Sequence, residues 1–128
     1  MTPTILTVED DADLRTLISV VLEEEGYAVI TATNGREALS LVQDHMPDLI
    51  LLDLRMPVMS GVEFVAQYQA RYGNGPRAPF IVMTAGEHAS RRCQELRGSG
   101  FLPKPFSTDE LLDVVRKHAP LRRPALGV

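Results

Sequence analysis

The chain has 128 residues and a mass of 14.1 kDa, enough for one ordinary domain with a sizeable core. With 45% apolar and 23% charged residues it is neither fibrous nor disordered, and a net charge of −4 gives no electrostatic footprint for nucleic acid. The single Cys93 excludes an internal disulfide, and the longest apolar run, Leu49–Leu52, falls far short of a membrane span. A cytoplasmic protein without membrane contact is therefore expected. Met1 to Asp13 agrees, because it lacks the cationic run and long apolar stretch of a secretory signal.

Thr4–Val8 is a β-branched apolar run and predicts the first strand. Glu9, Asp10, Asp11 and Asp13 then crowd together, a charge density that demands a reason. Leu14, Leu17, Ile18, Val21 and Leu22 recur at helical spacing, with Gly26 where a C-cap glycine belongs. Tyr27–Thr31 reads as a strand, and Asn34-Gly35 opens a helix carrying Ala38, Leu41 and Val42. Asp48–Asp53 is a strand ending in an acid. Phe64, Val65, Tyr68 and Tyr72 mark a helix over Gly61–Tyr72, ended by the Gly73-Asn74-Gly75-Pro76 loop.

Pro79–Met83 predicts a fourth strand and Gly100–Pro103 a short fifth. Between them Glu87–Arg97 reads as a polar helix, with only Ala89, Cys93 and Leu96 on an apolar face. The last helix starts at Ser107 with Glu110 three residues on, a capping-box pattern, and buries Leu111, Val114 and Val115. One domain is expected over 1–119. The tail over 120–128, which includes Arg122 and Arg123, has no period and is expected to be short and disordered.

Five β–α units in sequence imply a parallel sheet covered on both faces and reached by right-handed crossovers. In such a sheet ligands bind beyond the carboxyl ends of the strands. The first strand runs into Glu9-Asp10-Asp11, the third ends in Asp53, the fourth in Thr84-Ala85, and the fifth runs into Lys104-Pro105. Crowded carboxylates repel unless a cation sits among them, and hard oxygen donors on an open edge suit Mg²⁺ or Mn²⁺. Asp53 would then serve as nucleophile in aspartyl-phosphate chemistry, with Lys104 as a point charge for a phosphate oxygen and Thr84 as a hydroxyl donor.

The segments ILTVEDD (5–11), LLDLRMPVMSG (51–61), IVMTA (81–85) and FLPKPF (101–106), in this order, resemble those of response-regulator receiver domains, and the likeness covers roughly residues 4 to 118. It implies a flavodoxin-like, doubly wound α/β fold: a (βα)5 three-layer sandwich around a parallel sheet of order 2-1-3-4-5. Residue by residue, Asp53 matches the phosphoacceptor and Asp10 the direct metal ligand. The resemblance implies that Glu9 acts through metal-bound water and that Arg55 offers its backbone carbonyl. Thr84 matches the switch hydroxyl, Ala85 follows it in the phosphate-contacting set, Phe101 matches the switch aromatic, and Lys104 the phosphate-contacting lysine. The Lys104–Pro105 peptide is implied to be cis.

The implied activity is a stand-alone, phosphorylation-dependent signalling switch of a two-component system. It accepts its phosphoryl group from a histidine kinase or histidine phosphotransfer protein and is read by a downstream protein effector. It is not an enzyme beyond its own phosphorylation and dephosphorylation, touches no nucleic acid directly, and can pair as a phosphorylation-dependent homodimer. Two rival readings are a Mg²⁺-dependent aspartyl-phosphate phosphohydrolase and a degenerate scaffolding receiver. The first lacks a second Asp two residues after Asp53, where Arg55 stands. The second conflicts with the complete set Asp10, Asp53, Thr84 and Lys104.

Plainer roles stand beside these. Asp11 and Asp13 read as cap and dipole residues of the first helix. Thr84 can also cap or turn the chain, and Phe101 can be plain core. His45, His88 and His118 lie far apart without metal-ligand spacing and read as surface histidines; Cys93 reads as half-buried. The span from Thr84 to Lys104 is shorter than receivers of this kind show, and Gly98-Ser99-Gly100 lacks their usual acids, so a shortened fourth helix is expected. The Arg55 side chain is expected to pair with Glu9 or with a bound phosphoryl group.

Overall fold

Five apolar runs become five strands in a computed structural model that describes residues 2–75, 77–85 and 88–121. In chain order the elements are β1 (Thr4–Val8), α1 (Ala12–Glu25), β2 (Ala28–Ala32), α2 (Gly35–Asp44), β3 (Leu49–Asp53), α3 (Gly61–Tyr72), β4 (Phe80–Ala85), α4 (Ala89–Leu96), β5 (Gly100–Lys104) and α5 (Thr108–His118). The strands form one parallel sheet of order β2-β1-β3-β4-β5, so the doubly wound α/β expectation holds, strand order included. All five β3 residues are buried, as a strand covered on both faces requires.

Period-two alternation along the strands sorts the core into two layers. Ile5, Leu49, Leu51, Ile81, Met83 and Leu102 face Ile18 and Leu22 of α1 and Leu111 and Val115 of α5. Leu6, Val8, Ile50, Leu52 and Val82 face Val42 of α2, Phe64 and Tyr68 of α3, and Cys93 of α4. Tyr27 and Tyr68 satisfy their buried hydroxyls by donating to the carbonyls of Ala119 (2.7 Å) and Ala78 (2.8 Å).

Local chemistry sets the helix ends. Asp11 caps α1 by accepting from the N–H groups of Asp13 and Leu14, and Gly26 closes it in the left-handed region at φ 114°. The Ser107–Glu110 capping box forms, and so does a second one, Ser60–Glu63, that opens α3. Helix α4 opens at His88, which makes no side-chain capping bond.

Several expectations shift. The strands β2, β3 and β4 start one residue later than their apolar runs suggested, and β4 continues through Thr84 and Ala85 because its neighbour β5 pairs with it that far. Leu17 is 53% exposed, so the buried stripe of α1 is narrower than its spacing implied. Cys93 is buried rather than half-buried, with its thiol against the carbonyls of Gly98 and Gly100 (both 3.3 Å). The described part of α4, Ala89–Leu96, has eight residues and ends before Arg97. Pro76, Glu87 and the tail over 122–128, with Arg122 and Arg123, lie outside the described residues.

Candidate functional site

The register of the sheet builds the site. Val8 of β1 stands opposite Leu52 of β3, so the next residues along, Glu9 and Asp53, emerge side by side at the carboxyl edge. Ala85 at the end of β4 stands opposite Lys104 at the end of β5. Glu9, Asp53, Ala85 and Lys104 also share strand parity with the core layer under α1 and α5, which explains why residues so far apart in sequence meet. Thr84 has the opposite parity. It shares a sheet face with Val82 and with Val82's partner Phe101, on the side of α2, α3 and α4.

Carboxylate oxygens of Glu9, Asp10 and Asp53 all lie within 4.8 Å of one another. Glu9 is 1% exposed and Asp53 5%, whereas Asp10 is open to solvent. The Lys104 ammonium lies 2.7 Å from Glu9 Oε1 and 3.6 Å from Asp53 Oδ1. Backbone N–H groups finish the cage: Asp11 donates to Glu9 Oε2 (3.2 Å) and Arg55 to Asp53 Oδ1 (3.2 Å). The Lys104–Pro105 peptide is cis.

Burial, and next the Glu9 charge, push the Asp53 carboxyl up to about 7, against the lowering pull of Lys104 and of the Arg55 N–H. For Lys104, burial alone would lower the ammonium. Its bond to Glu9, with Asp53 beside it, outweighs that and leaves its pKa above the ordinary value. Two buried carboxylates against one ammonium is an excess of negative charge, and a hard divalent cation would relieve it.

Of the two partners expected for the Arg55 side chain, Glu9 is already taken. The guanidinium makes no ion pair with Glu9 among the described residues, because Lys104 takes that carboxylate. Arg55 turns instead to a separate cavity with Thr84 and Ala85, walled by His88, Arg91 and Arg92 of α4. Phe101 is 43% exposed and so is not core. His118 is half-buried rather than a free surface group: Nδ1 lies 2.8 Å from the Val114 carbonyl oxygen and Nε2 3.3 Å from that of Ser99. Asp13 is exposed in the first turn of α1, as a dipole residue would be.

One positioning residue carries no sequence signal. Arg15 Nη1 donates to the carbonyls of Glu9 (2.8 Å) and Asp10 (3.4 Å), pinning the acidic loop from behind. Its position on α1 reads as solvent-facing until the loop is seen to fold over it.

A family model described as the response regulator receiver domain matches residues 5–116. The chain is 37% identical over 124 residues to sporulation initiation phosphotransferase F of Bacillus subtilis, covering 95% of this chain and 98% of that protein. It is 39% identical over 126 residues to the phosphate regulon transcriptional regulatory protein PhoB of Pseudomonas aeruginosa, covering 97% of this chain but 54% of PhoB, so it spans about half of that relative. Among solved structures, the response regulator protein TrrA of Thermotoga maritima, in complex with Mg²⁺-BeF, superposes with a TM-score of 0.78 at 34% identity, covering 91% of this chain and 98% of that one.

Proposed function

The chain belongs to the response regulator receiver family of two-component systems, and on that footing we propose that it is a phosphorylation-dependent switch with Asp53 as phosphoacceptor. The observation that carries this reading is the setting of Asp53: a buried carboxylate ending β3, flanked by the Glu9 carboxylate and facing the Lys104 ammonium at 3.6 Å.

The donor set suits Mg²⁺ or Mn²⁺. Asp10 and Asp53 would hold it by their carboxylates, Arg55 by its backbone carbonyl and Glu9 through water, a reading supported by the Mg²⁺-BeF complex of TrrA. When bound, the ion supplies positive charge against the crowded carboxylates and the transferring phosphoryl group. An Asp53 carboxylate oxygen attacks phosphorus as the bond to the donor's leaving group breaks. Lys104 pairs with one phosphoryl oxygen, and the Ala85 backbone and Thr84 hydroxyl meet the others. Thr84 shares a sheet face with Phe101, which stands opposite Val82, so a shift at Thr84 has a route along that face to the exposed ring. Populations on the α4–β5–α5 face then change, and a partner protein or a second copy reads them.

The donor is a histidine kinase or a histidine phosphotransfer protein, and the phosphoryl group can also move onward, as the name of the Bacillus subtilis phosphotransferase supports. Turnover is confined to the chain's own Asp53. The test is incubation with acetyl phosphate and Mg²⁺ followed by intact mass measurement. One hydroxylamine-labile phosphate adduct, absent from Asp53→Asn, is expected. Steady release of phosphate from simple phosphoesters would overturn the switch reading in favour of a phosphohydrolase.

A further inference from the structure

The phosphoacceptor reading leaves a second concentration of charge unused. Between the ends of β3 and β4 and the first turns of α4 lies an open cavity of about 290 Å³. Arg55, His88, Arg91 and Arg92 line it together with Thr84, and no described lining residue is acidic. Three guanidiniums thus gather around one hollow of a chain whose net charge is −4. Lys104, which contacts Glu9 and Asp53, is not among the lining residues.

We propose that this cavity binds a phosphate-class dianion, either free orthophosphate or the phosphate group of a small monoester, held by Arg55, Arg91 and Arg92. Guanidinium forks match tetrahedral oxyanions by paired N–H bonds. His88 is set to add a donor. Arg91 Nη2 lies 3.1 Å from His88 Nδ1, and because a guanidinium only donates, that contact leaves Nε2 as the ring nitrogen able to donate to a ligand. Among the described residues Arg92 pairs with Glu95 alone, at 3.2 Å between side chains 40% and 52% exposed, and a solvated pair of that kind is weak enough to yield to a dianion. The Thr84 hydroxyl completes the wall.

The site needs no phosphoryl transfer, so it stands or falls apart from the role of Asp53. An anion held there would tie the loop after β3, through Arg55, to α4. It would thereby link the level of a free phosphate compound to the position of that helix.

The experiment is an amide NMR titration of the ¹⁵N-labelled full chain, without Mg²⁺ and at ionic strength held constant with chloride. Orthophosphate and glycerol 2-phosphate are the two probes. Saturable shifts are expected at Thr84, Ala85, Arg91 and Arg92, and they should persist in Asp53→Asn and in the control Arg36→Gln on α2. Arg91→Gln and Arg92→Gln should each weaken binding about fivefold, as loss of one partly solvated charge-assisted contact implies. Both arginines face solvent at least in part, and amide dispersion verifies that the variants fold. Binding of orthophosphate alone assigns the free ion, and tighter binding of glycerol 2-phosphate assigns the monoester. The proposal is overturned by an absence of saturation, by affinity that ignores both arginine substitutions, or by shifts centred on Glu9 and Lys104 that vanish in Asp53→Asn. Failure of Asp53 to accept phosphate would leave the expected binding untouched.

Discussion

Lys104 is nearer to Glu9 than to Asp53, 2.7 Å against 3.6 Å, so the lysine's first partner is the carboxylate that does not take the phosphoryl group. Glu9 is almost wholly buried, and Lys104 is the cation in contact with it. Lys104→Gln should therefore destabilise the fold as well as impair phosphorylation. Breaking a buried pair costs roughly 3–5 kcal/mol, and the partial exposure of Lys104 lowers the expectation here to about 1–3 kcal/mol. Urea denaturation without Mg²⁺ measures it. Glu9→Gln/Lys104→Gln together should recover much of the loss below pH 7, since Glu9 no longer buries a charge without its cation and the Asp53 carboxyl, raised to about 7, keeps its proton. If the double variant is as unstable as the single one, the pairing account fails.

Asp53 makes the stability of the metal-free protein depend on pH. Its carboxyl has an ordinary value of 3.8 and is raised to about 7 in the fold. Between those values the folded chain binds the proton more tightly than the unfolded chain. This stabilisation is complete below the lower value and is lost as pH rises through the upper one. Melting temperatures in a chelator should accordingly fall from pH 5 to pH 8 more steeply for the parent chain than for Asp53→Asn. Mg²⁺ should remove most of that difference, because the ion replaces the proton as the compensating charge. Parallel curves for parent and Asp53→Asn in chelator would refute the shift.

The sequence made Asp53 visible because an acid directly after four buried apolar residues can only stand at the edge of a sheet. It made the sheet visible because strands covered on both faces are apolar without interruption. The partner of Glu9 was not visible in the same way. Arg55 lies two residues from Asp53 and looked like the natural cation, yet the lysine 95 positions from Glu9 takes the carboxylate. Register and strand parity decide that contest, and neither is written in local spacing. The basic wall was hidden for a related reason. His88, Arg91 and Arg92 belong to a polar segment that reads as a solvated helix face, and they become a cavity only when the start of α4 lands beside Arg55 and Thr84.

Thr7 presents the opposite case, a polar group for which the fold has no use. It is fully buried mid-strand on the face under α1 and α5, and its hydroxyl has no hydrogen-bond partner among the described residues. Burying an unpaired hydroxyl costs about 1–3 kcal/mol, and valine replaces it with a methyl group of nearly the same shape and a higher strand preference. Thr7→Val should raise stability by about 1 kcal/mol, seen as a higher urea midpoint at unchanged slope. Acetyl phosphate labelling should not change, because the Thr7 hydroxyl bonds to none of the carboxylates. A destabilised Thr7→Val would mean that the hydroxyl is satisfied after all.

Gly61 tests how tightly the phosphoacceptor is held by what lies behind it. The glycine opens α3 against the chain at the end of β3, and its N–H donates to the Leu54 carbonyl at 3.1 Å. A Cβ there would stand 2.8 Å from Leu54 Cα and press on the Asp53 carbonyl oxygen, backbone that cannot rotate away as a flexible side chain could. Gly61→Ala must therefore displace either the start of α3 or the peptide after Asp53. An overpacked site of this kind costs about 1–3 kcal/mol. The displacement bears on the residue that Lys104 and Arg55 hold in place, so phosphorylation by acetyl phosphate should slow by more than the loss of folded protein explains. The comparison is labelling rate per folded molecule in Gly61→Ala against a variant equally destabilised far from the site, such as Val42→Ala in α2. Equal rates would show that Asp53 tolerates movement of its support, and the rigid seating inferred for it would be wrong.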